Sequence, residues 1–435
     1  MATLETPKIA SVPGRLPSIS AGVWRYVREY GPTFATEFGV LASQIVTYKL
    51  AAHFLGKQGF SEYALARRTV SLIFPIPVLG LAVGLPRYIG FSKGRNDPQS
   101  AARYYGATIW CAGSAAIVCV VLLNLFAGTF GYLFFGDRSY GSFARPLSLM
   151  ILGLCIHTVV CGYFRGHMNL NRANLLQLLN LAIAPTAVFF FVRHSLVSVL
   201  ASLGLIWTLT SVAALLFTPW HSIQRNTWKE VWELLQYGLQ RVPGDFILMA
   251  LFTLPATLVA HTRGVQEAGF VAFGISLVSM VGAIFAPVGL VLLPKATSML
   301  AEGASKDLRE HVRFIIRLTI AASIAIVLVV WVWIPGLIRL YLGANFEQVV
   351  PIVRILILGA IPYSLYLVVR NLVDAYHEYG VTAAILALGL AVLLTGLIAG
   401  RHFGSDTRAI LSGFLVAQVV IAALSSWECR RILRV

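Results

Sequence analysis

The sequence predicts an all-α polytopic membrane protein with about twelve transmembrane helices, arranged as two six-helix lobes related by a pseudo-two-fold axis along the membrane normal. Three observations support this fold class. The 435 residues are 58% hydrophobic and only 12% charged, whereas soluble domains carry roughly 25% charged residues. Apolar runs of about 20 residues, the length that crosses a bilayer, recur along the chain. The order of glycine, proline and charged markers in the first half returns about 207 positions later.

The internal repeat is visible in markers that flank the apolar runs. Tyr30-Gly31 and Tyr237-Gly238 each precede a run, and Pro86-Arg87 and Pro294-Lys295 each close one. Later markers keep the same order, namely Gly136 with Gly343, Gly153 with Gly359, and Arg165 with Arg370. An ordered series of this kind indicates two diverged copies of one unit. Six helices per copy is an even number, so both copies insert with the same orientation.

The elements follow in chain order. The predicted spans are residues 33–55, 69–90, 104–128, 146–165, 174–192, 196–217, 240–260, 269–292, 314–335, 350–369, 380–399 and 408–427. The predicted organisation is a cytoplasmic tail (1–20), an N-terminal lobe (21–217), an inter-lobe linker with an interfacial helix (218–239) and a C-terminal lobe (240–435). Each lobe opens with aromatic residues of the kind that lie where headgroups meet hydrocarbon.

The charge pattern indicates a membrane partner. The formal net charge is +16, but the basic residues punctuate apolar spans and do not form a polar nucleic-acid surface. If the N-terminus is placed in the cytoplasm, the cytoplasmic ends of the predicted helices carry about twice as many Lys and Arg residues as the outer ends. We therefore expect a multi-pass protein of the cytoplasmic (inner) membrane with both termini cytoplasmic. The five cysteines lack metal-ligand spacing, and neither a metal nor a cofactor is predicted.

Polar residues in the first span form one stripe. Glu37, Gln44 and Tyr48 lie seven and four residues apart, so they share a helix face. This stripe is expected to face the space between the lobes, with a helix contact face as the alternative. Lys49 points about 100–140° away from the stripe, so it either snorkels to the outer headgroups or lies at the edge of the cavity.

The seventh span begins with a charged pair. Arg241 and Asp245 are four residues apart and can pair across Pro243-Gly244, which loosens the helix. Asp245 lies near the repeat position of Glu37. The sequence contains no ATP-binding motif, so any energy must come from an ion gradient or from downstream consumption, and these two acids are the candidates for ion coupling. A structural ion pair at the helix mouth is the alternative.

Repeat-related cations close the second and eighth spans. Arg87 and Lys295 are either anchors at the inner surface or receivers of an anionic headgroup. Together with Gln44, Lys49 and Arg241 they are the candidate substrate-binding residues.

Several motifs resemble one superfamily. They are the breaks at Gly59-Phe60 and Gly269-Phe270, the stretch Gly80-Leu-Ala-Val-Gly-Leu-Pro-Arg-Tyr88, and the stretch Tyr237-Gly-Leu-Gln-Arg-Val-Pro-Gly-Asp245. They are similar to the multidrug/oligosaccharidyl-lipid/polysaccharide exporters, and within these to the polysaccharide-transport branch. The resemblance implies a flippase that moves a polyprenyl-diphosphate-linked oligosaccharide through a central cationic cavity by alternating access. It implies membrane lipids, a polysaccharide polymerase and glycosyltransferases as partners, and no enzymatic activity.

Two other functions fit part of the pattern. An ion-coupled multidrug or metabolite antiporter would have the same fold but calls for acidic residues in the cavity, where candidate cations outnumber acids. A membrane glycan ligase or polymerase needs catalytic residues on a sizeable outer loop, and no predicted loop exceeds about 25 residues. The sequence therefore favours an anionic cargo.

Overall fold

A computed structural model describes residues 19–192, 195–219, 227–301, 305–376, 380–402 and 407–433. Within these ranges, side chains are not described at 19–30, 287, 289–301, 305–308, 311, 375, 397 and 399–402. The elements of the first half are α1 (Ile19–Ile73), α2 (Pro75–Val78), α3 (Leu81–Gly94), α4 (Pro98–Leu125), α5 (Ala127–Phe135), α6 (Ala144–Gly166), α7 (Leu170–Leu178), α8 (Ala184–Phe191) and α9 (Leu196–Leu216). A 3₁₀ turn (Arg138–Phe143) precedes α6, and a π-helical turn (Leu179–Ile183) joins α7 to α8.

The second half repeats this plan. Its helices are α10 (Trp228–Arg263), α11 (Val265–Ala301), α12 (Ser305–Tyr341), α13 (Val349–Leu356), α14 (Ala360–Tyr376), α15 (Val381–His402) and α16 (Thr407–Ile432). Short 3₁₀ turns, Ala344–Phe346 and Ile357–Gly359, lie on either side of α13.

Every predicted span lies on helical segments, although several of the spans extend over more than one element. Among the described residues, nine helices are long and apolar enough to cross a bilayer. The bent pair Gly31–Val78 and Leu81–Gly94 contains the first two predicted spans, and the shorter apolar helix Val381–Gly396 contains the eleventh. The predicted all-α fold class is confirmed.

Two glycine turns fix the register of the repeat. Gly56 (φ 65°) interrupts α1, and Gly264 (φ 87°) separates α10 from α11. Positive φ suits glycine because no Cβ opposes it. The two turns lie 208 positions apart, and Gly136 and Gly343, also at positive φ, lie 207 apart. The breaks predicted at Gly59-Phe60 and Gly269-Phe270 are therefore misplaced by three to five residues, and the second span begins at Lys57 instead of residue 69.

The two halves pack together at one end of the bundle. Ser61 Oγ donates a hydrogen bond to the Gln266 carbonyl oxygen at 2.9 Å. A methyl group built on Gly269 would lie 2.1 Å from Ser61 Cα, and one on Gly136 would lie 2.8 Å from the Ala260 carbonyl oxygen. Following the predicted orientation, we call this end the outer end and the opposite one the inner end.

Helix α10 contacts both halves along its length. Its N-terminal turns pack on the first half, where Leu234 is buried with Leu81 and Leu85 of α3. A methyl group on Gly238 would lie only 1.9 Å from the Leu79 carbonyl oxygen. Beyond Pro243, the helix packs on the second half, and Gly244 approaches Ala383 of α15.

Candidate functional site

Two adjacent arginines lie where the halves meet. Arg67 and Arg68 follow the Gly56 turn by eleven and twelve residues, which places them about 17 Å along the helix, near the middle of a hydrocarbon core about 30 Å thick. Arg68 Nη2 donates to Ser276 Oγ at 2.9 Å and to Ser279 Oγ at 3.2 Å, both on α11. The Arg68 carbonyl oxygen accepts a hydrogen bond from Thr253 Oγ1 of α10 at 3.2 Å. Arg68 therefore joins the first half to two helices of the second.

The second arginine lies against aromatic rings. Arg67 Cζ is 5.5 Å from the Tyr48 ring centroid and 5.9 Å from that of Tyr63, so its charge is stabilised by both rings. The Tyr48 hydroxyl is 2.8 Å from Ser276 Oγ, the same oxygen that Arg68 contacts. This group of Tyr48, Tyr63, Arg67, Arg68 and Ser276 is named the arginine–tyrosine cluster below.

The arginine–tyrosine cluster carries two positive charges without a described counter-charge. Neither Arg67 nor Arg68 forms an ion pair with any residue that the structure describes. Charges at membrane depth are costly unless they are paired or face a polar cavity. An anionic group placed between the halves would be stabilised by both guanidinium groups.

Sequence reasoning missed these two arginines. The polar run from Lys57 to Arg68 suggested an outer loop, whereas it forms the first turns of a buried helix. The repeat held the necessary signal, because in the second copy an apolar span begins at Ala268, four residues after Gly264. Placing the turn at Gly56 by the same register would have put Arg67 and Arg68 inside the second span.

The polar stripe of the first span splits between two environments. Tyr48 is buried and contacts the second half, as predicted. Glu37 is exposed, and its Oε1 accepts a hydrogen bond from Gln177 Nε2 of α7 at 2.8 Å. Gln177 Oε1 in turn accepts from Arg165 Nη2 at 2.7 Å. Glu37 thus belongs to a chain of polar contacts within the first half.

The second half contains a related but more direct arrangement. Arg370 Nη2 lies 3.9 Å from Asp245 Oδ1, and Arg370 Nε lies 3.2 Å from Asp374 Oδ2. Thr382 Oγ1 also donates to Asp374 at 2.5 Å. Glu37 and Asp245 are 208 positions apart, and Arg165 and Arg370 are 205 apart. Each half therefore links the acid of its first helix to the arginine of its fourth, through Gln177 in one case and directly in the other.

The predicted pair between Arg241 and Asp245 is not formed. Asp245 lies beside Arg370, a largely buried cation whose charge requires nearby acids. The Nε atom of Arg241 is buried and has no hydrogen-bond partner among the described residues. The i, i+4 spacing permits an ion pair between Arg241 and Asp245, but Asp245 interacts instead with Arg370 of α14.

The remaining candidate residues are dispersed. The exposed Arg87 has its Cζ 4.8 Å from the Tyr237 ring centroid and 5.5 Å from that of Phe91, at the contact of α3 with α10. Gln44 is half-buried and Lys49 is exposed. The side chain of Lys295 lies outside the described residues. Described contacts join none of these residues to the arginine–tyrosine cluster. Within the described residues no group of three metal-ligating side chains comes together.

Comparison with known proteins gives one family and several structural relatives. The sequence family described as MatE matches residues 32–173 and 244–397. An inward-facing multidrug resistance transporter of the MATE family and MOP superfamily superposes with a TM-score of 0.77 at 13% identity, covering 91% of this chain and 94% of that one. The eukaryotic MATE transporter AtDTX14 gives 0.67 at 17% identity, covering 95% and 99%.

A third structural relative was solved in a different conformation. An outward-facing multidrug resistance transporter of that family superposes with a TM-score of 0.60 at 14% identity, covering 93% of this chain and 96% of that one. This value is lower than the one for the inward-facing structure. Solved relatives have twelve transmembrane helices in two lobes. No curated protein sequence matches the chain.

Proposed function

The chain belongs to the MatE family, and from this membership we propose that it is an ion-coupled exporter that moves an anionic organic metabolite or drug across the membrane by alternating access. Membership of the wider exporter superfamily agrees with the resemblance noted in the sequence. The family match and the structural relatives support a multidrug or metabolite transporter better than the polysaccharide branch. Family members are transporters, not enzymes.

The proposal that the cargo is anionic rests on Arg67 and Arg68, which form no ion pair with any described residue. A cationic drug brought to this position would be repelled by two guanidinium groups in a region of low dielectric constant. A carboxylate, sulfate or phosphate would instead receive charge-assisted hydrogen bonds from them. The serine hydroxyls that Arg68 now contacts are neutral, so they satisfy its N–H groups without balancing its charge.

The contacts between the halves define what must break during transport. The bonds from Ser61 to Gln266 and from Arg68 to Ser276 and Ser279 all cross from one half to the other. Opening the outer end separates these partners and exposes the arginine–tyrosine cluster to the outside. In the state seen here the outer end is packed, so we expect a solute to reach the cluster from the inner end.

Ion coupling is assigned to the two acid–arginine networks. Glu37 and Asp245 each interact with an arginine, directly or through Gln177. A proton or sodium ion that binds the carboxylate competes with that arginine and changes the contacts of the first helix of each half. We therefore retain Glu37 and Asp245 as the coupling residues.

A lipid-linked oligosaccharide is the second candidate cargo. The specific observation in its favour is that the buried Nε of Arg241 has no described partner, so that with Arg67 and Arg68 three cations are available to a diphosphate. In this case the polyprenyl chain stays in lipid and the headgroup crosses between the halves. A polymerase and glycosyltransferases would then act on the same glycan at the cytoplasmic membrane. Both termini of the transporter would lie in the cytoplasm.

Transport by purified protein in proteoliposomes distinguishes these cargoes. We expect export of anionic fluorescent dyes but not of cationic dyes of similar size, and loss of export in Arg68→Ala. Arg138→Ala, which removes an exposed cation at the outer end, should transport normally. Transport of the cationic dyes with no effect of Arg68→Ala would refute an anionic cargo. Movement of a lipid-linked oligosaccharide without export of soluble anions would establish the second candidate.

A further inference from the structure

A basic groove lies in the second half, apart from the interface between the halves. It is a cavity of about 610 Å³ between the inner ends of α12 and α16, with α14 behind it. Its polar lining includes Arg309, Arg313 and Arg317 of α12 and Ser426 and Arg430 of α16. We call it the α12–α16 groove.

The α12–α16 groove concentrates positive charge. Arg309, Arg313 and Arg317 are spaced by four residues, so they occupy successive turns on one face of α12. Arg430 lines the opposite wall. None of the four forms an ion pair or a hydrogen bond with a residue that the structure describes. Like charges four residues apart destabilise a helix, so an anion from outside the chain would relieve this repulsion.

Two buried polar atoms indicate that such an anion makes direct contacts. Arg309 Nε and Ser426 Oγ are both buried and have no hydrogen-bond partner among the described residues. They belong to opposite walls of the groove. A buried donor without an acceptor is costly, and the oxygens of one phosphate group can accept from both.

The surroundings of the groove identify the source of the phosphate as a membrane lipid. On α12, Phe314 and Leu318 are 66% and 57% exposed, and on α16, Trp427 is 61% exposed. Apolar and indole side chains exposed beside a cationic cluster are typical of a helix end at the boundary of hydrocarbon and headgroups. The groove wall also contains Ile316 and Leu365, which suit acyl chains and offer nothing to a free phosphate ion.

We propose that the α12–α16 groove binds the headgroup of an anionic phospholipid, with the lipid phosphate between Arg309 and Ser426. Basic pockets between transmembrane helices at the cytoplasmic side are suited to such headgroups. The proposal does not depend on which solute the protein exports, because the groove lies outside the interface between the halves.

Lipid binding to the purified full-length protein tests the proposal. Titration with phosphatidylglycerol in neutral detergent, followed by native mass spectrometry, should give saturable binding that phosphatidylcholine does not reproduce. The double variant Arg309→Gln/Arg313→Gln should bind phosphatidylglycerol roughly twenty-five-fold more weakly, at about five-fold for each arginine removed. Arg309→Lys/Arg313→Lys, which keeps both charges, should retain most of the affinity.

A charge-matched control separates the groove from the general surface potential. Lys93→Gln/Arg95→Gln removes two exposed cations at the inner end of the first half and should change the affinity less than three-fold. An equal loss in this control would overturn the proposal, as would equal binding of phosphatidylcholine by the unmodified protein. Displacement of phosphatidylglycerol by millimolar inorganic phosphate would identify a soluble anion as the ligand instead. Ser426→Ala tests the hydroxyl alone and should weaken binding several-fold while leaving the net charge unchanged.

Discussion

Nη2 of Arg68, on the second transmembrane segment, lies 2.9 Å from Oγ of Ser276, on the eighth. The two residues are 208 positions apart, which is the spacing of the internal repeat. The same serine oxygen is 2.8 Å from the Tyr48 hydroxyl of the first segment. Three segments from the two halves therefore meet at one hydroxyl group, next to two cations. We infer that this junction both holds the outer end closed and receives the charged part of the cargo.

Arg68→Ala should lower transport of an anionic solute by about 10- to 150-fold, because a hydrogen bond to a charged group contributes on the order of 1.5–3 kcal/mol. Arg68→Lys should retain part of the activity, since it keeps the charge but not the two-pronged geometry. Initial rates in proteoliposomes measure the effect, and the Arg138→Ala variant serves as the control. Full activity of Arg68→Ala in correctly inserted protein would remove this residue from the cargo site.

Much of the architecture was predictable because it depends on patterns that repeat. The lengths of the apolar runs predicted the membrane-spanning segments. The spacing of the repeat paired Gly136 with Gly343, and both glycines form turns at positive φ. The position of the second span was wrong because Lys57 to Arg68 reads locally as a polar loop. Helix pattern alone does not reveal that such a run is covered by the other half of the protein.

The partners of charged residues were less predictable. Asp245 interacts with Arg370, 125 positions away, and no local spacing indicates that contact. Arg241, four residues from Asp245, was the nearer choice on a regular helix. Side-chain pairing across helices depends on how the helices pack, which the sequence of one segment does not contain. Tyr48 faces the second half, as predicted, but Glu37 on the same predicted stripe contacts Gln177 of its own half, so helix periodicity did not determine the partners.

Gly269→Ala should destabilise the packed outer end, because the new methyl group would lie 2.1 Å from Ser61 Cα. Overpacking of this kind typically costs about 1–3 kcal/mol, so we expect a lower melting temperature in detergent. Gly336→Ala is the matched control, since a methyl group there meets nothing within 4 Å and alanine favours a helix. If both variants melted at the temperature of the unmodified protein, the close contact at Gly269 would be wrong.

Glu37→Gln should uncouple transport from the ion gradient. Glutamine keeps an acceptor for the hydrogen bond from Gln177 but loses the charge that a proton or sodium ion would neutralise. We expect gradient-driven accumulation to disappear while solute exchange across the membrane persists. Glu347→Gln, at an exposed ion pair with Arg339, should behave like the unmodified protein. Unchanged accumulation by Glu37→Gln would exclude Glu37 from coupling.

Arg241→Ala distinguishes the two candidate cargoes. A diphosphate on a lipid carrier enters from the inner end and would pass Arg241, so the variant should strongly reduce flipping of a lipid-linked oligosaccharide. Arg241→Lys should be partly tolerated because it keeps the charge. A soluble anion that binds only at Arg67 and Arg68 should be exported at a nearly normal rate by Arg241→Ala. Parallel assays with both cargoes on the same protein preparation give the comparison.

Crosslinking across the outer end tests alternating access directly. Ser61 and Gln266 lie on different halves and are joined by a hydrogen bond of 2.9 Å from Ser61 Oγ to the Gln266 carbonyl oxygen, so cysteines at these two positions are close enough for a short bifunctional reagent. The five native cysteines must first be replaced. Because the outer end must open once in each cycle, a crosslink that holds Ser61→Cys to Gln266→Cys should stop transport completely, and cleaving a reducible linker should restore it.

Each single-cysteine variant treated with the same reagent controls for modification alone. Addition of external cargo should slow the crosslinking, since cargo bound from outside stabilises the open outer end. Continued transport by fully crosslinked protein would show that the halves do not separate here, and the cargo path would then have to lie elsewhere than between them.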